Sequence, residues 1–509
     1  MPSPIDRRNF VKGSIGASAL TALGDFAFLG CLPPLTAAQV QTPRAMVQNS
    51  PDIEPLVRLI ENTARDRVIE TIAERVRNGT SYQEILSAVM LAGVRGIKPR
   101  PVGFKFHAVL VVNSAHLASQ AAQDQDRWLP LFWSIDNYKN SQERNRAEGD
   151  WVMAPVEEGQ VPGAAHAGNR FREAMENWDA EAADRAIAGW CRTAGSNEIY
   201  EAFWRFGARD FRDIGHKAIF AANSYRLLQT IGWRHAEPIL RSLAFALVEH
   251  EGTNPAQRDA DQDRPWRTNL RQVGRIRADW QRGRVTPEGS QELLTTLRTA
   301  TPAEGSERVV ALLNQQVDPA CLWDGLFLTA GELLMRQPGI VGLHCVTSIN
   351  ALHFAFKTSS SDETRRMLLL QAAAFLPMFR LTMANRGQLG DQRLDTLERA
   401  QVAAQAPQAV EEIFAEVGQN RLLAARKTLG LLEANRDAAP LLMAAARRLI
   451  FSKGNDSHDY KFSSASLEDF YHATPAVRNR FLATAMFNFK GAGARDTDLY
   501  QRMRNALRG

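Results

Sequence analysis

The stretch from His344 to Lys357 reads His-Cys-Val-Thr-Ser-Ile-Asn-Ala-Leu-His-Phe-Ala-Phe-Lys. The chain writes versions of its opening three more times. From His107 it reads His-Ala-Val-Leu-Val-Val-Asn-Ser-Ala-His-Leu, with the same intervals from His to Asn and from Asn to a second His. From His216 it reads His-Lys-Ala-Ile-Phe-Ala-Ala-Asn, the Asn falling one residue later. The most divergent version runs from His458, His-Asp-Tyr-Lys-Phe-Ser-Ser-Ala. The four leading histidines stand 109, 128 and 114 residues apart. Each phrase has helical spacing and follows a break, so each predicts a helix with His at its start. Helix starts favour Ser, Thr, Asp or Asn. Fourfold reuse of His there needs another reason, and metal ligation supplies one, because neutral imidazole suits iron, zinc, copper and nickel. Four imidazoles pointed into a shared interior by His107, His216, His344 and His458 would make a metal site.

Helical geometry sorts the other histidines. Nine residues turn a helix by about 900°, half a turn out of phase. His116 and His353 therefore face away from His107 and His344, as packing or second-site residues. His166, His235, His250 and His472 fall outside the register. Lys461 lies three residues after His458 and shares its helix face. An ammonium cannot ligate a cation, so Lys461 is a surface lysine reaching past the site, a proton donor, or a carbamate formed with carbon dioxide. The carbamate would add an anionic oxygen to four neutral nitrogens. Asn113, Asn223 and Asn350 sit inside their helices, where Asn is a poor helix former. A structural role, bonding neighbouring backbone, is the reading preferred for them.

The rest of the chain supplies the frame. Among 509 residues, 45% are hydrophobic and 23% charged, a globular balance. The net charge of +5 is spread over interspersed residues of both signs, with no basic block to argue for nucleic acid. Four cysteines at 31, 191, 321 and 345 form no Cys-x-x-Cys pair, which excludes a disulfide framework and a thiolate zinc site. Strand patterning is scarce. The expected fold class is all-α: one large helical domain over 53–509, built from about four long-period repeats. No Gly-rich phosphate loop or nucleophile elbow stands out.

The first 38 residues read as an address. Asp6-Arg7-Arg8-Asn9-Phe10-Val11-Lys12 matches the twin-arginine pattern, and a weakly apolar stretch from Gly13 to Gly30 is too short for a transmembrane span. Thr36-Ala37-Ala38 offers cleavage after Ala38. Cys31 offers a lipid anchor as the alternative. Residues 39–52 form a Pro/Gln-rich linker. The twin-arginine export machinery moves folded proteins, so a metal could be acquired before the chain meets a copper- and zinc-exposed periplasm.

Leu343-His344-Cys345-Val346-Thr347-Ser348 with Ala351-Leu352, and His458-Asp459-Tyr460-Lys461, resemble the characteristic phrases of questin oxidase-like proteins. His107 and His216 match the family's two earlier histidines in order. The resemblance implies a helical oxygenase acting with dioxygen on an organic, polycyclic aromatic substrate. It also implies a mononuclear non-haem Fe(II) held by His107, His216, His344, His458 and a carboxylated Lys461. Two alternatives stand beside it: a zinc hydrolase using the same site, and a non-catalytic exported binding protein whose repeated histidines are structural.

Overall fold

Residues 46–508 are described by a computed structural model. The expected leader and cleavage site, Cys31 and the expected linker up to residue 45 lie outside the described residues. The fold is all-α, as expected: the described residues hold 22 α-helices, short 3-10 turns and one isolated β-bridge, Arg284 to Val317. The first half comprises α1 (Glu54–Asn62), α2 (Arg65–Arg77), α3 (Tyr82–Gly96), α4 (His107–Gln120), α5 (Leu129–Ala147), α6 (Ala164–Glu176), α7 (Ala180–Cys191), α8 (Ser196–Gly207), α9 (His216–Ile231), α10 (Ala236–Leu247) and α11 (Arg264–Gln272). The second comprises α12 (Pro287–Leu297), α13 (Pro302–Asn314), α14 (Pro319–Arg336), α15 (Ile340–Thr358), α16 (Asp362–Ala384), α17 (Ala406–Val417), α18 (Arg421–Ala434), α19 (Ala439–Lys453), α20 (Ser457–His472), α21 (Arg478–Thr484) and α22 (Asp498–Arg508).

The four phrase helices close a ring. α4 packs against α9 and α20, and α15 packs against the same two. All four start at one end of the ring, so they run parallel. Neighbouring helices wrap them: α3 and α5 cover α4, α8 and α10 flank α9, α14 and α16 cover α15, and α19 and α21 flank α20. This enclosure explains why α4 and α15 bury nearly every residue and carry no amphipathic stripe. The segments between ring helices contain four, five and four helices, so the ring is more regular than the chain between its members. α16 is long and apolar enough to cross a membrane, but 78% of its apolar window is buried inside the protein, the mark of a core helix.

Local signals account for many boundaries. Ser81 caps α3 with Glu84 in a reciprocal box, as Thr301 caps α13 with Glu304. Other boundaries fall where periodicity alone does not mark them. The amphipathic run 54–77 breaks at Thr63, and the run 410–433 breaks where Asn420 caps α18 through the Leu423 N–H. The polar stretch 254–267 runs into α11, and α6 begins inside the Gly/Pro/Ala-rich stretch 157–168. The polar tail forms α22, held to α2 by Arg502 and Glu70.

Candidate metal centre

His107 and His216 are the first residues of α4 and α9, and His458 is the second of α20. His344 departs from the expected position. It is the fifth residue of α15, one turn inside the helix. All four imidazoles nevertheless meet at the same end of the ring, with one ligand atom from each lying within 4.8 Å of every other. His216 and His344 are buried, while His107 and His458 keep slight exposure.

Every ring is tethered through Nδ1. His107 Nδ1–H donates to the Phe104 carbonyl at 2.7 Å, His216 to the Asp213 carbonyl and His344 to the Ile340 carbonyl. His458 donates to the Asp456 carboxylate, which also accepts the His458 backbone N–H as the cap of α20. Carbonyls only accept, so Nδ1 carries the proton and Nε2 presents a lone pair inward. His216 Nε2 lies 3.0 Å from the Nε2 of His107 and 3.0 Å from that of His344. His458 Nε2 is buried with no partner.

The delivery of these rings is strained. Phe104 (φ 51°), Asp213 (φ 53°) and Ile214 (φ 45°) are left-handed although none is glycine, at a cost of about 1–2 kcal/mol each. Gly215 follows at φ 83°, where a Cβ would also meet Ser348 Oγ at 2.1 Å. Glu249 ties the two loops together. It accepts the Val102 N–H at 3.0 Å, and burial with the Asp213 carboxylate beside it pushes its carboxyl up to about 8.

Lys461 is buried, and its Nζ donates to His216 Nε2 at 3.3 Å. Burial pushes its amine down to about 7, with Asp456 opposing. Burial also holds His107, His216 and His344 well below the usual imidazole value and lowers His458; the Lys461 charge adds to this for all four. The four helix N-termini add positive potential at the same place, which resists protonation and favours an anion.

These groups suit a cation. Inward lone pairs 3.0 Å apart with no proton between them repel unless a positive ion sits among them. Neighbouring rings around the helix circuit have centroids 4.8, 4.4, 5.0 and 4.4 Å apart, while the His107–His344 diagonal is 6.4 Å. That diagonal is close to that of a square with those sides. Four nitrogens gathered this closely could share one metal ion.

The other expected placements are plain. His116 turns away and bonds Tyr82 Oη and Thr230 Oγ1. His353 packs on Trp323 and Phe327 beside His472. The Asn register lies two turns below the imidazoles, where Asn223 Nδ2 donates to the Leu110 carbonyl at 3.0 Å and Asn350 Nδ2 donates to Glu468 and Asp469. Asp456 and Glu249 were not expected. Asp456 carried a readable signal, an acidic cap two residues before the His; Glu249 carried none. No family model matches the chain, and comparison with curated proteins and with solved structures returns no match.

Proposed function

We propose that His107, His216, His344, His458 and a carboxylated Lys461 hold one Fe(II), and that the chain is an oxygenase or oxidase for an apolar organic substrate. The observation that carries this is the set of four inward Nε2 atoms, each fixed by an outward Nδ1–H bond. Iron there would supply a position at which dioxygen binds and is activated. The chain's own residues do the rest. The Nδ1 tethers fix tautomer and aim. The Lys461 amine, lowered by burial to about 7, would in its neutral form attack carbon dioxide, forming an N–C bond and releasing one proton, and the helix N-termini would stabilise the resulting anion. Solvent reaches the imidazoles from the His107 and His458 side. A mouth on that side would have exposed apolar surface from Phe104 (70%) and Ile340 (37%), whose carbonyls hold two of the rings, to meet an aromatic or aliphatic substrate. Twin-arginine export of the folded, metal-loaded chain to the periplasm belongs to the same proposal.

Elemental analysis of protein purified anaerobically from its host tests it. One iron per chain is expected, falling sharply in His344→Ala and persisting in His353→Ala. Stoichiometric zinc would favour a hydrolase. Folded protein without metal, or equal metal in both variants, would remove the assignment.

A further inference from the structure

Below the imidazoles the ring encloses a polar cavity that runs from Lys461 to Glu468. It has room for about one water and for no organic substrate. Lys461, Ser464 and Glu468 recur at helical spacing along one stripe of α20, spanning about 10 Å. Asn113, Asn223 and Asn350 face the same cavity from the other three helices. Asn113 is 2% exposed, and its Oδ1 has no partner. At the far end Glu468 (side chain 28% exposed) accepts from Arg226 at 2.6 Å and from Asn350 at 2.7 Å, and so touches solvent while anchored inside the ring.

A bundle interior usually fills with apolar side chains. Here one stripe from each helix contributes hydroxyls, amides or charges, and a buried acceptor is left over. Buried polar groups with room for a water hold one. We infer that the ring interior is a hydrated proton path joining solvent at Glu468 to the Lys461 end of the metal centre, separate from the mouth used by substrate. It rests on the metal-centre proposal, because reduction of dioxygen consumes protons that an apolar mouth closed by substrate would not supply. A proton taken up by the Glu468 carboxylate passes to the water and then to the Ser464 hydroxyl, whose own O–H turns from the Ser114 carbonyl (3.0 Å) toward Lys461 and releases its proton to the dioxygen being reduced. One proton enters at Glu468 for each one consumed.

Two measurements test this on the iron-loaded full-length chain. The first is a high-resolution crystal structure. A water bonded to Asn113 Oδ1 is expected in the native protein and absent from Ser464→Val. The second is the rate at which dioxygen oxidises the bound Fe(II), in light and heavy water. Glu468→Gln should slow it about tenfold or more and raise the solvent isotope effect. Tyr471→Phe, an exposed neighbour on the same helix, should match the native chain in both. A dry cavity, or Glu468→Gln with native rate and isotope effect, overturns the path while leaving the metal centre standing. Failure of the chain to take up iron removes the metal proposal and the path with it.

Discussion

Each imidazole at the centre depends on one acceptor beyond it, and for three of the four that acceptor is a main-chain carbonyl no substitution can delete. His458 is the exception, because Asp456 is a side chain. Asp456→Ala should lower metal affinity about 10–100-fold, as loss of such outer partners does. It should also remove about 1 kcal/mol of stability through the lost helix cap. Asp456→Asn keeps one neutral acceptor oxygen in place of Oδ1, which takes both bonds, and should restore the stability but only part of the affinity. Metal titration with denaturant unfolding separates the two effects, and an unchanged affinity in Asp456→Ala would mean that His458 is not held by this bond. Lys461 shows how burial prepares a residue for chemistry. In water its amine would be charged; here it has no carboxylate of its own, and its closest polar partner is an imidazole lone pair.

Helix starts rather than helix faces carry the centre. α9 begins only after three successive left-handed residues, Asp213, Ile214 and Gly215, turn the chain so that the Asp213 carbonyl meets His216. Gly215→Ala would combine an unfavourable φ with a clash on Ser348, and a loss of about 2–4 kcal/mol is expected in denaturant unfolding, with metal affinity falling as well. Full native stability in that variant would show that the turn relaxes without consequence. Legibility also ran out at helix starts. The spacing places the start of α15 at His344, yet the helix begins at Ile340, because Gly339 at φ 136° breaks the chain there. His344 reaches the centre from one turn inside by bonding its own helix carbonyl four residues back.

For the molecule as a whole, four buried imidazoles and a buried amine make the metal-free protein sensitive to pH. Unfolded histidines take up protons near pH 6.5, while His107, His216 and His344 do so only well below it. Their neutral burial therefore costs nothing above pH 6.5, and stability is lost as pH falls from there toward their folded values. Lys461 acts in a second window. Its folded value of about 7 lies below the unfolded 10.5, so stability is lost as pH falls from 10.5 to 7. In metal-free protein in carbonate-free buffer, Lys461→Met should therefore gain more over the native chain at pH 7 than at pH 10. An equal gain at both would show that the native amine stays charged. Bound metal should deepen the acid dependence, since protons and metal compete for the same nitrogens.

The sequence by itself determined the all-α class, the reuse of a leading histidine near four helix starts, the opposite facing of His116 and His353, and the placement of Lys461 on the face of His458. These follow from the fixed rise and turn of a helix, which local spacing reports directly. Only the tertiary structure decided that the four helices close into a ring and that their imidazoles meet in a square. It also decided that Phe104, Asp213 and Ile340 lend their carbonyls, and that the Asn register borders a polar cavity. Ring closure depends on contacts between helices more than a hundred residues apart. Main-chain carbonyls are the same at every residue, so no side-chain pattern could announce which three would be used.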